Sequence, residues 1–272
     1  MFSFGGYSLP LGKKTYVMGI LNYTPDSFSD GGEFFSPETA LGRALEMEKQ
    51  GADIIDVGAN STRPGSEILG AADELARLEQ VLGALKNKVS APLSVDTFYP
   101  ECACFALENG ALIINDVSGK YNEEIASLVK KNNAAYIVTH NPCGADKSAE
   151  YPDGAPVEVR KFFLECLEKS ADTGLGFSHL CLDPGFGFGK SRQDDFEILR
   201  DLRLLKFGGV ALLAGLSRKR MTSPFDGSIP ADRDITTSAA NAVAIANGAD
   251  IIRVHNVPYA VQTAAIADKI RI

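Results

Sequence analysis

The chain has 272 residues, 45% apolar and 23% charged, the proportions of an ordinary globular protein. Lys and Arg number 27 against 35 Asp and Glu, a net charge of −8, which excludes the broad basic surface that tracks nucleic acid. No apolar run reaches the roughly 18 residues of a membrane span. The opening Met1-Phe2-Ser3-Phe4-Gly5-Gly6 has no basic stretch ahead of an apolar one, so no signal peptide is expected. Five cysteines lack framework or zinc-site spacing, with Cys102 and Cys104 as an isolated pair, and fit reduced thiols in the cytoplasm.

In chain order, short β-branched apolar runs alternate with stretches of helical apolar spacing. The predicted strands cover 15–21, 53–57, 92–95, 112–115, 135–138, 180–182, 210–214 and 250–254. The predicted helices between and after them cover 37–50, 71–85, 100–109, 123–132, 157–172, 194–205, 237–247 and 258–269. Pro37 and Pro100 fall in first helical turns, and Asn109-Gly110 and Asn247-Gly248 are stop signals. This repeat predicts an α/β fold, a single-domain (β/α)8 TIM barrel, with residues 1–12 as a short N-terminal cap. An open doubly wound sheet is the alternative.

In such a barrel the chemistry lies where the strands end. There the sequence delivers Asn22, Arg63, Asp96, Asn115 with Asp116, His140, Asp183, Ser217-Arg218-Lys219, and Arg253 with His255. Arg253 and His255 are two apart, so both project to one face of the last strand and suit a phosphate or diphosphate. An inter-strand salt bridge is the competing use of Arg253. Asp96, Asn115 and Asp183 supply acceptors and an amide suited to a flat heterocycle bearing ring N–H and amino groups. A polar network bracing the barrel core would use the same residues. The run Asp183-Pro184-Gly185-Phe186-Gly187-Phe188-Gly189-Lys190-Ser191 looks like a phosphate loop but fails its tests, with Pro184 and Lys190 where glycines are required. Long loops at 22–36 and 58–70 have the length of lids.

Residues 18–32, Met18 to Gly32, resemble the first signature of the dihydropteroate synthases, and 53–65, ending Ser61-Thr62-Arg63-Pro64-Gly65, the second. Ser94-Val95-Asp96-Thr97, Ile114-Asn115-Asp116-Val117-Ser118-Gly119, residues 183–190, Ser217-Arg218-Lys219 and Arg253-Val254-His255 resemble the later motifs in the same order. The resemblance implies joining of 4-aminobenzoate to a pterin carrying a methylene diphosphate, on a barrel that pairs as a homodimer. It implies that Asp96, Asn115, Asp183, Lys219 and Arg253 bind the pterin, and that Asn22, Arg63, Arg253 and His255 meet the diphosphate. Asn22 is the implied Mg²⁺ ligand. Phe28, Thr62, Arg63, Pro64, Phe188 and Lys219 are implied for the 4-aminobenzoate pocket, and sulfonamides are the implied competitors. The implied catalytic set is Asn22, Arg63, Asp96, Asp183, Lys219, Arg253 and His255. Four residues depart from the pattern. Thr139-His140-Asn141 stands where Met-His-Met is usual, Asn60 where Glu is frequent, and Asn256 where Asp is common. A corrinoid methyltransferase-like enzyme and a catalytically weak pterin-binding paralogue are the alternatives.

Overall fold

The computed structural model describes residues 1–24, 36–60, 68–144, 149–225 and 228–271. An antiparallel hairpin, β1 (Phe2–Phe4) and β2 (Tyr7–Leu9), precedes the repeats. Eight parallel strands then close into a barrel: β3 (Tyr16–Asn22), β4 (Ile54–Gly58), β5 (Leu93–Asp96), β6 (Ala111–Asp116), β7 (Ala135–Thr139), β8 (Leu180–Asp183), β9 (Ala211–Ala214) and β10 (Ile251–Val254). The last pairs with the first, Arg253 opposite Met18. The helices are α1 (Pro37–Lys49), α2 (Ala71–Leu85), α3 (Pro100–Glu108), α4 (Glu123–Lys131), α5 (Ala155–Thr173), α6 (Arg192–Arg200), α7 (Asp234–Ala246) and α8 (Val257–Ala267). This is the barrel that the alternating pattern predicts, and the open sheet is set aside.

Two helices differ from expectation at their ends. Helix α6 starts early because Ser191 and Asp194 form a reciprocal capping box, and it stops at Arg200, leaving Leu202–Leu205 as a tighter 3-10 turn. Helix α7 begins at Asp234, just past a 3-10 turn at Pro230–Arg233, because the Asp234 carboxylate is held by Arg218. Among the described residues, no helix is long and apolar enough to cross a membrane.

Strand parity sorts the side chains. Val17, Ile55, Val57, Val95 and Ile114 face outward into the layer under the helices. Tyr16, Met18, Ile54, Ile113, Ile137, Cys181, Leu213 and Ile251 face inward and form a separate buried cluster with Phe2 and Phe4 of the hairpin. Two residues further along the same strands the inward positions become polar. Asp56 follows Ile54, Asn115 follows Ile113, Thr139 follows Ile137, Asp183 follows Cys181 and Arg253 follows Ile251. The apolar floor is thus roofed by a charged layer at the C-terminal mouth. At the opposite end Asp250 is fully buried and accepts from Leu212 N at 3.0 Å, Gly12 N at 3.2 Å and Arg271 at 3.0 Å.

Candidate active site

Arg253 is the hub of the polar layer. Its Nε donates to Asp56 Oδ2 at 2.6 Å and its Nη2 to Asp96 Oδ2 at 2.9 Å. Asn115 Nδ2 donates to the same Asp56 oxygen at 3.1 Å, which leaves the Asn115 carbonyl oxygen as its acceptor. Asp56 is fully buried, and its other oxygen has no partner among the described residues. Burial pushes the Asp96 carboxyl up; Arg253 opposes that, and Asp56, Glu74 and Asp116 add to it. Two carboxylates and one guanidinium therefore share a nearly dry space, and removing the cation would leave both acids uncompensated.

Asp183 ends β8 beside Thr139, its register partner on β7. Its Oδ1 accepts from Gly185 N at 2.8 Å. Burial raises its pKa, with Lys219 the strongest opposing influence. Lys219 sits across from it. Nζ of Lys219 donates to the Phe186 carbonyl oxygen and lies 4.6 Å from the centre of the Phe188 ring. Burial lowers its pKa, and Asp183 and Asp195 pull it back up. Gly215 separates the two charges: a Cβ there would lie 3.7 Å from Asp183 Oδ2 and 3.8 Å from Lys219 Nζ. Gly187, at φ +76°, lets the loop pass under the Lys219 stem, since a Cβ would come within 3.2 Å of its Cδ.

The third group is built on β10 and the end of β9. Ser217 Oγ lies 3.0 Å from His255 Nδ1 and accepts from His255 N at 3.1 Å. Arg218, held at φ +59°, makes a two-pronged pair with Asp234 at 2.7 and 2.9 Å. Asn256 donates to the same carboxylate at 3.0 Å while capping α8. Arg218 is thereby committed to bracing α7, and Lys219 next to it is turned to the barrel mouth. Asn22 ends β3 with its Oδ1 3.6 Å from where a Cβ on Gly58 would sit, so a larger residue at 58 would crowd that oxygen.

Of the residues singled out in the sequence, Asp96, Asn115 and Arg253 are brought into one bonded cluster, and Asp183, Lys219 and Phe188 into another. The competing salt-bridge use of Arg253 is real in this structure, because its guanidinium is shared by two acids. Phe28, Thr62, Arg63 and Pro64 lie outside the described residues. Asp56 was not singled out, yet an aspartate inside the apolar run Ile54-Ile55-Asp56-Val57 was the available signal. His140 turns away from this group: its ring packs 5.1 Å from Phe162 and its Nδ1 meets Lys190 at 3.0 Å. Thr139 is fully buried with its hydroxyl oxygen unpartnered among the described residues, so it fills the usual methionine position without that residue's reach.

The family model described as "Pterin binding enzyme" matches residues 18–255. A dihydropteroate synthase from Synechocystis sp. is 42% identical over 94% of this chain and 90% of its own length. The structure of a dihydropteroate synthase from Clostridium difficile, obtained in the presence of pteroic acid, superposes with a TM-score of 0.89 at 38% identity, covering 97% of this chain and 100% of that one. The Xanthomonas albilineans dihydropteroate synthase with 4-aminobenzoic acid gives a TM-score of 0.88 at 36% identity, covering 95% and 94%. With motif order, barrel and mouth chemistry in agreement, the chain belongs to the dihydropteroate synthase family of pterin-binding enzymes.

Proposed function

We propose that the barrel mouth joins 4-aminobenzoate to 6-hydroxymethyl-7,8-dihydropterin diphosphate, giving 7,8-dihydropteroate and diphosphate, a transferase step of folate biosynthesis. One observation carries this reading. Acceptors for a flat heterocycle (Asp96, Asn115, Asp183) and cations for an anionic leaving group (Lys219, Arg253) converge at the same strand ends.

Asp96, Asn115 and Asp183 would receive the ring N–H and amino donors, with Lys219 and Arg253 beside them. The exocyclic C–O bond breaks, and its electron pair leaves on the diphosphate oxygen. Arg253 and His255, with Arg63, would stabilise the charge that builds there. The arylamine nitrogen then bonds to the methylene carbon and gives up a proton to the released diphosphate or to solvent. This amine is neutral near pH 7, so no strong base and no covalent enzyme intermediate is needed. Lys219 serves as a donor, and Phe188 beside it offers an aromatic wall for the amine.

Mg²⁺ suits the donor set. Asn22 offers one hard, neutral oxygen, and Mg²⁺ commonly keeps water and takes substrate phosphates rather than an all-protein cage. With Asn22 as the protein ligand, the remaining positions would be filled by diphosphate and water. The ion supplies charge neutralisation of the leaving group.

We place the protein in the cytoplasm, supported by five cysteines that form no disulfide among the described residues, and as a homodimer. The apolar side chains Ile235 and Val243 on α7 and Tyr259 and Ile266 on α8, all exposed on adjacent helices, support a dimer contact there.

The test is turnover by the purified chain with both substrates and Mg²⁺. Expected are diphosphate release, formation of dihydropteroate, loss of rate with a chelator, and competition of sulfonamide with 4-aminobenzoate. Pterin binding without product would support the carrier alternative instead.

A further inference from the structure

The phosphate-like loop is organised around a lysine that faces inward. Lys190 is 1% exposed, among the largest fully buried side chains of the protein. Its Nζ donates to the carbonyl oxygens of Gly185 at 2.9 Å, Phe188 at 2.9 Å and His140 at 3.2 Å, and meets His140 Nδ1 at 3.0 Å. Burial pushes its pKa down from 10.5 to about 7, with Asp195 and Asp183 pulling it back up; in the ammonium form it has donors only, so the His140 ring is then the acceptor. The carbonyl of Phe186, which receives Lys219, lies between two of these along the chain, next to that of Gly185 and two residues before that of Phe188. One of them belongs to Phe188, the residue whose ring lies under the Lys219 ammonium.

The loop has little other freedom to reach this shape. Gly185 at φ +67° approaches the end of β7 so closely that a Cβ would fall 2.0 Å from the His140 carbonyl oxygen. Gly187 N donates to Asp195 Oδ1 at 2.9 Å, and Gly189 N to Gly144 O at 2.7 Å. Carbonyl dipoles converging on one buried point repel one another, and a cation at that point is what makes the convergence favourable.

We propose that Lys190 is a positioning residue for Lys219: its buried ammonium draws in the carbonyls of Gly185 and Phe188, which sets the Phe186 carbonyl and Phe188 ring against which Lys219 is aimed at the substrates. Lys190 touches no substrate in this arrangement and acts through Lys219. The inference rests on the assignment of Lys219 to substrate binding made above.

A double-mutant cycle separates this role from a purely structural one. Lys190→Met, Lys219→Ala and the double variant are compared with the wild type in kcat/KM for 4-aminobenzoate, with thermal unfolding followed alongside. Lys219→Ala is expected to lose on the order of 100-fold and Lys190→Met on the order of 10-fold or more. The double variant is expected to match Lys219→Ala within about threefold, because Lys190 has nothing left to aim. Losses that multiply in the double variant would overturn the proposal, as would full activity in Lys190→Met. If Lys190→Met does not fold, Lys190→Gln, which retains amide donors, takes its place in the cycle. Failure of both to fold makes the residue a folding determinant and also overturns the proposal. Absence of wild-type turnover would instead refute the proposed reaction. The cycle is then read on the affinity for pteroate by titration calorimetry, with the same two outcomes.

Discussion

A guanidinium held between two acids is hard to replace at the scale of one residue. Arg253 uses Nε for Asp56 and Nη2 for Asp96, so its planar fork does work that a point charge cannot. Arg253→Ala is expected to cut kcat/KM by about 100-fold or more and to destabilise by roughly 3 kcal/mol, because two buried carboxylates lose their counter-charge. Arg253→Lys should recover only part of either. Steady-state kinetics and urea unfolding check both, and unchanged turnover in the alanine variant would remove Arg253 from the proposed diphosphate cradle. This cluster was half legible in the sequence. Arg253, Asp96 and Asn115 stand out at strand ends, but Asp56 lies 197 residues from its partner, and no local spacing links them. The same limit hides one partner of Lys190, since His140 is 50 residues away while Gly185 and Phe188 are local.

At the scale of elements, the link between β7 and the loop leading into α6 has a pH signature. Burial, reinforced by the neighbouring Lys190, pushes His140 down to about 3 from an ordinary 6.5. Below pH 6.5 the unfolded chain takes up a proton that the folded chain refuses. The stability contributed by a neutral His140 is therefore complete above pH 6.5 and is lost as pH falls toward about 3. His140→Gln retains an acceptor for Lys190 and does not titrate. Its stability relative to wild type should rise as pH falls from about 8 to about 5, by roughly 2 kcal/mol at the lower end, with a matching rise in relative Tm. Parallel Tm curves would contradict this assignment. The barrel strands themselves were readable because each is a short β-branched run set off by Gly, Pro or polar residues. The hairpin at Phe2–Phe4 and Tyr7–Leu9 was not, since three-residue strands carry too little periodicity to separate from a loop. The limits of α6 and α7 slipped because capping by Asp194 and the Arg218–Asp234 pair set them, and only the first is local.

For the whole molecule, a net charge of −8 coexists with a mouth that must receive two anions. The described cations there are few and partly neutralised, so attraction is short in range. Acid on the outer helices leaves the apolar residues of α7 and α8 as the natural place for self-association. The wild type is expected to run at twice its 29.1 kDa mass in light scattering, and Ile235→Asp combined with Ile266→Asp to run as a monomer. A monomeric wild type would count against the dimer.

The shared guanidinium also bears on selectivity. Orthophosphate or any other small anion that drifts into the mouth meets an Arg253 already neutralised by Asp56 and Asp96, and must displace a carboxylate to gain it. Under the proposed assignment, a pterin diphosphate would bring ring donors that satisfy Asp96, releasing one of the two acids that hold Arg253. The internal ion pair would then act as a built-in competitor, favouring an anion that arrives with its own replacement for Asp96.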